Sequence, residues 1–152
     1  MIFTGSIKVP APRAAVFEKL NNPQFFASCV SGVENLEELS PTHYKAELAT
    51  RIAYIRFRFE ISVEIVEQVA PERVVAKAEG KPIGAVGRLS SVSSVTLSDV
   101  DGGTEATYEI DLSLAGKLGS IGQPVLKSKA REMEREFSAN LIAAFTQEEA
   151  TV

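Results

Sequence analysis

The sequence predicts an α+β fold in which a curved antiparallel sheet of about six to seven strands wraps around a long C-terminal helix. Three observations predict it. At 55–66, Ile55, Phe57, Phe59, Ile61, Val63 and Ile65 alternate with Arg56, Arg58, Glu60, Ser62 and Glu64. One apolar and one polar face is the pattern of a long antiparallel strand with one wet side. The same two-residue period, broken by turn residues, runs from Gly32 to Leu114. Beyond Ser120 the period changes: Val125, Ala130, Met133, Phe137, Leu141, Ala144 and Phe145 recur mostly at steps of three and four, the stripe of an amphipathic helix.

The elements follow in order. Residues 2–9 form a half-buried strand with Phe3, Gly5, Ile7 and Val9 on the more apolar face. Pro10-Ala11-Pro12 stops it, and Pro12 suits the first turn of a helix, where its missing N–H would be unpaired anyway. That helix carries Val16, Phe17 and Leu20 on one side and ends at Asn21-Asn22-Pro23. A second short helix, from Gln24 to about Val30, carries Phe25, Phe26 and Cys29. Two short helices therefore follow strand one. Residues 32–39 form a weak strand and Ser40–His43 a turn. Strands follow at 44–50, 55–66 and 73–79, with Ala70-Pro71-Glu72 turning the chain before the last. Gly80 to Gly87 holds three glycines and a proline and reads as a mobile loop. Residues 88–98 set Leu89, Val95 and Leu97 on one face with Ser91 and Ser93. Asp99–Gly103 is a hairpin turn. Residues 104–114 answer with Ala106, Tyr108, Ile110, Leu112 and Leu114. Ser120-Ile121-Gly122-Gln123 has the form of a capping box, although Pro124 must sit in the first turn and moves the start by a residue or two. From 121 to 146 the helix is roughly 39 Å long at 1.5 Å per residue, enough to cross a curved sheet.

With 152 residues, residues 1–152 make a single domain able to bury a core without staples. The formal charge of −4 lacks the basic footprint of a dedicated nucleic-acid binder. The single cysteine, Cys29, allows no internal disulfide and suits a reducing compartment. The N-terminus lacks a signal-peptide pattern, and no run of about 18 apolar residues could span a bilayer. A cytoplasmic protein is expected.

Catalytic chemistry finds little material. His43, the only histidine, lies in a predicted turn. Cys29, spaced with Phe25 and Phe26, reads as a small buried hydrophobe. One His and one Cys cannot form a His/Cys metal cluster, and no nucleophile elbow is present. Gly116, Gly119 and Gly122 do not match a phosphate loop, because no Gly-Lys-Ser/Thr follows. They let the strand-to-helix turn pack closely, or serve as a flexible lip. No catalytic residue, metal or cofactor is expected. A sheet that curls around a helix can leave a cavity, and such mouths take small molecules.

The chain also resembles a known family. Gly116–Pro124, continuing through Lys129–Phe137, is similar to the CoxG family of carbon monoxide dehydrogenase subunits. So are Gly5-Ser6 through Val9-Pro10-Ala11-Pro12, Val16-Phe17, Asn21-Asn22-Pro23 and Gly102-Gly103-Thr104, over roughly residues 3 to 145. The element order resembles the START-like helix-grip (SRPBCC) superfamily. The resemblance implies a helix-grip fold with an apolar cavity. It also implies an accessory role beside carbon monoxide dehydrogenase-type molybdenum hydroxylases, handling a quinone or lipid-like ligand. Many members carry a membrane-contacting C-terminal extension. This chain ends at Val152, so at most peripheral contact with the inner face of the membrane is expected.

The expected function is binding of a hydrophobic small molecule, without catalysis. Phe57, Phe59, Ile61, Leu97, Tyr108 and Ile110 would form the sheet wall. Met133, Phe137 and Leu141 would form the helix wall. Phe25, Ile83 and Ile121 would border the opening. Tyr108 would offer a hydroxyl to a ligand carbonyl. The alternatives are an assembly or membrane-recruitment factor with a filled core, or a small cyclase or hydrolase pairing Tyr108 with Glu109 or Asp111. The two-residue alternation sends both carboxylates to the opposite face, which counts against catalysis.

Overall fold

The structure, a computed structural model, describes residues 1–150. Seven strands form one antiparallel sheet: β1 Ile2–Val9, β2 Val33–Ser40, β3 His43–Ile52, β4 Ile55–Val69, β5 Arg73–Pro82, β6 Gly87–Val100 and β7 Gly103–Gly116. The spatial order is β1-β7-β6-β5-β4-β3-β2. Helices α1 (Arg13–Leu20) and α2 (Pro23–Ser28) follow β1, and α3 (Gln123–Ala150) closes the chain. This is the predicted architecture of a curved sheet, two short helices and a long terminal helix.

Each element has a local cause. Pro12 is the N-cap of α1 with extended backbone, one position ahead of the first turn expected for it. The Asn22 side chain accepts from the Phe25 amide and caps α2. In β4, the register slips between Ile65 and Glu67, a bulge that bends the longest strand. Such bends let the sheet curl around a helix.

Three boundaries differ from the sequence reading. His43 belongs to β3, and its Nε2 lies 2.9 Å from Ser62 Oγ, so it is not a turn residue. Gly80 and Pro82, expected in a loop, are buried strand residues opposite Leu89 and Phe59. Cross-strand pairing outweighs their poor strand propensity. Ser120 ends a 3₁₀ turn (Lys117–Ser120) ahead of α3. The Gly122 carbonyl accepts from Val125 and Leu126, so the helix starts at Gln123 and the expected capping box lies before it.

Residues paired across antiparallel strands share a face, so the register defines the concave surface. The packed core fills one end of it. Ile7, Val9, Leu97 and Ala106 meet Val16 of α1 and Leu141 and Phe145 of α3 there. Thr104 is fully buried at this end, and its hydroxyl donates to the Ala11 carbonyl over 2.7 Å. That bond satisfies a backbone acceptor where the chain leaves the sheet for α1. The α2–β2 connection is tied to α3: Ser31 N–H donates to Glu136 Oε1 at 2.7 Å, and Asn140 Nδ2 donates to the Cys29 carbonyl at 3.1 Å.

Candidate functional site

Beyond the packed end the concave face changes character. Its central columns, read from the register, are Ala76, Ala78 and Gly80 on β5 beside Ser93, Ser91 and Leu89 on β6. Flanking them are Ile65, Val63 and Ile61 on β4, and Ile110, Leu112 and Leu114 on β7. The floor is thus small and the walls are large. Except for Gly80, these residues are only half-buried, whereas Leu97 on the same face is sealed. The backbone of α3 comes nearest the sheet at β1 and β3, on either side of this floor.

Polar chemistry meets the concave face at Tyr108, which packs against the edge of the core. The ideal Cβ position of Gly5, its cross-strand partner, lies 2.5 Å from the Tyr108 hydroxyl. Only glycine leaves room for the ring to lie over β1. Burial, with the Glu134 carboxylate of α3 beside it, pushes the phenol well above its ordinary range. Tyr108 is therefore a held proton donor. Burial also pushes up Tyr44, which the register places on the concave face opposite Val63. Glu109 and Asp111 are exposed on the outer face, as the alternation predicts. The carboxylate that meets Tyr108 comes from the helix instead.

Beside Met133, a recess of about 220 Å³ opens where α3 passes the end of β3. Val30, Ser31, Thr50, Arg51, Met133 and Glu136 line part of it. Two aromatic contacts border the helix and sheet walls. Phe57 and Phe59 stack with centroids 5.6 Å apart, and Phe26 tilts against Phe137 at 5.1 Å.

The twelve residues picked from sequence fall into three groups. Phe57, Phe59, Ile61, Tyr108 and Ile110 lie on the sheet wall, with Met133 and Phe137 half-buried on α3. Leu97 and Leu141 lie in the packed core; Phe25 packs against it, as Tyr108 and Phe137 also do, and the Lys19 ammonium lies 5.0 Å over the Phe25 ring. Ile83, on the β5–β6 turn, and Ile121, just before α3, lie at the opposite end. Phe25 therefore does not border one opening with Ile83 and Ile121. Phe26 is the member of that pair that reaches the helix wall. The reading also missed Glu134, Gly5 and the Ala76-Ala78-Gly80 floor. Glu134 was findable, because it stands in the stripe Ala130, Glu134, Phe137, Leu141.

Among the described residues, no group of three or more His, Cys, Asp or Glu is placed to hold a metal ion. No described helix is long and apolar enough to cross a membrane. Cys29 is buried, and burial pushes its thiol up, as for an inert packing residue.

The fold recurs in solved structures. A conserved protein from Geobacillus kaustophilus superposes with a TM-score of 0.88 at 23% identity, over 97% of this chain and 96% of that one. A START superfamily protein from Mycobacterium smegmatis gives 0.73 at 10% identity, over 96% and 97%. The protein TTHA0849 from Thermus thermophilus gives 0.66 at 13%, over 95% and 99%. Among curated proteins no relative matches. The family model of CoxG, a carbon monoxide dehydrogenase subunit, matches residues 5–145, nearly the whole sheet and most of α3, and the chain belongs to the CoxG family.

Proposed function

We propose that this chain binds a hydrophobic small molecule, quinone- or lipid-like, in the hollow between the concave face and α3. It acts there as a non-catalytic accessory carrier beside a carbon monoxide dehydrogenase-type molybdenum hydroxylase. One observation carries the ligand reading: the floor of Ala76, Ala78, Gly80, Ser91 and Ser93 between aliphatic walls, beneath a helix whose nearest approaches lie to either side. Family membership supports the partner class. The walls offer an apolar ligand about 25 cal/mol per Å² of buried area before association costs. Tyr108 and Glu134 set one polar pair beside the apolar walls, with the phenol proton held by the carboxylate. The recess near Met133 alone is smaller than the roughly 300 Å³ a drug-sized ligand needs. The ligand must therefore also take the space over the floor.

A catalytic reading, a small cyclase or hydrolase, would use Tyr108 with Glu134. The raised phenol leaves almost no phenolate at neutral pH, which favours binding over base catalysis. The test is native mass spectrometry of protein purified without detergent, followed by organic extraction. About one retained quinone or lipid per chain is the expected result. An apo mass unchanged by added quinones and fatty acids would sink the carrier reading and leave an assembly or recruitment role with a filled core.

A further inference from the structure

The sheet is open, and its two edges differ. β1 and β2 are the outer strands. β2 carries the devices that blunt an edge. Its register slips between Glu34 and Glu37 and again between Glu38 and Ser40, Asn35 has a positive φ of 54°, and Glu34, Glu37 and Glu38 line it. Bulges and charges of this kind keep an edge from pairing. β1 has no bulge. It pairs with β7 in unbroken register from Ile2–Asp111 to Val9–Thr104, and its one charged side chain, Lys8, stands near the end.

The hydrogen-bond phase fixes which backbone groups of β1 are free. Met1 and Leu112 exchange both bonds: the Met1 ammonium donates to the Leu112 carbonyl at 3.0 Å, and the Leu112 N–H donates to the Met1 carbonyl at 2.8 Å. Such pairs alternate along an antiparallel ladder, so Phe3, Gly5, Ile7 and Val9 bond β7. The N–H and C=O groups of Ile2, Thr4, Ser6 and Lys8 point away from the sheet, and none has a protein partner among the described residues. The side chains of these four residues are all exposed.

That row is complementary to itself. Turned about a twofold axis at Gly5, two copies of β1 run antiparallel. Ile2 then stands opposite Lys8 of the second copy, and Thr4 opposite its Ser6. Every free residue meets a free residue in this register, so all the outward N–H and C=O groups of both edges are paired. The side-chain pairs suit each other as well. Threonine faces serine, and the Lys8 stem covers Ile2, which is 60% exposed in the single chain. Lys8 makes no ion pair among the described residues. In the pair it stands one strand away from Asp111 of the second copy, across Ile2, and the Asp111 side chain is exposed. The two Lys8 ammonium groups lie at opposite ends of the pairing and do not repel. A strand of another protein would gain the same backbone bonds but brings no such match of side chains.

We propose that the β1 edge is a homodimer interface, where two copies join by strand addition into one continuous sheet with Gly5 at the twofold axis. The inference goes beyond the carrier reading and does not depend on it: ligand retention is read by mass after extraction, pairing by sedimentation.

The test uses the full chain. Analytical ultracentrifugation over a concentration series should show a species of twice the 16.4 kDa chain mass. Ser6→Pro removes one outward N–H per copy and leaves the ladder to β7 intact, since proline is tolerated on an edge strand when its nitrogen faces solvent. It should weaken the dimer roughly 30-fold, the worth of two net hydrogen bonds, with an unchanged circular dichroism spectrum of the monomer. Cysteine pairs test the register. Thr4→Cys and Ser6→Cys proteins, mixed under mild oxidation, should link rapidly, because directly opposed residues lie about 5.5 Å apart at Cα, within disulfide reach. Either variant alone should link far more slowly, its cysteines being diagonal neighbours at about 7–8 Å. Cys29 is buried and does not compete. Wild type that sediments as a monomer throughout would overturn the proposal and leave the edge to a strand of a different protein. So would a dimer that Ser6→Pro leaves undiminished, or equal linking of the mixed and the single variants.

Discussion

Ser93→Leu tests whether the concave face is hollow or filled. Ser93 sits in the middle of the floor, opposite Ala76 on β5 and Ile110 on β7. Its hydroxyl makes no hydrogen bond among the described residues, so removing it strands no partner. If the space above were packed, leucine would have to displace neighbours. Overpacking of that kind costs about 1–3 kcal/mol. If the space is empty, leucine covers Ala76 and Ile110 with apolar surface. Burying such a side chain contributes up to about 1.5–3 kcal/mol when burial is complete, and roughly half of that on a half-open floor. At about 2–4 °C per kcal/mol for a domain of this size, the expected change is a rise of roughly 2–6 °C in Tm. Quinone or lipid retention in native mass spectra should fall together with that rise. The assay is calorimetry on ligand-stripped protein, supported by urea unfolding with an unchanged slope. A fall in Tm of several degrees, with an unchanged slope, would refute the hollow floor. A rise with undiminished ligand retention would place the ligand elsewhere.

Two further outcomes follow from the same geometry. Thr104→Val keeps the shape but leaves the buried Ala11 carbonyl without its donor. It should cost about 1–3 kcal/mol in urea unfolding, and an unchanged midpoint would mean water replaces the hydroxyl. Tyr108 has its phenol raised in the folded state, so its contribution is fully present below the unfolded value of about 10 and is lost as pH rises toward the folded one. Wild type should therefore lose stability more steeply above about pH 10 than Tyr108→Phe does, measured by urea midpoints; parallel pH profiles would contradict the burial of the hydroxyl.

The sequence alone was enough for the sheet, the two short helices and the terminal helix. Periods of two and of three to four reflect which face each residue turns to water, and that depends on local backbone geometry. The outward placement of Glu109 and Asp111 followed from the same rule. The strand at Gly80 and Pro82 did not, because pairing with Leu89 and Phe59 overrides local propensity. Which apolar residues are core and which are lining could not be read from pattern either. Leu97 and Ile110 look alike in sequence, yet α1 and the far end of α3 cover only Leu97. The partner of Tyr108 depended on how α3 crosses the sheet, since Glu134 is near in space and far in sequence. Residues 2–9 read as a strand in the sequence, but only the order of the sheet makes β1 an edge. Alternation is a local property of the chain, whereas cavities, polar partners and surface patches arise from distant segments meeting, which only tertiary structure decides.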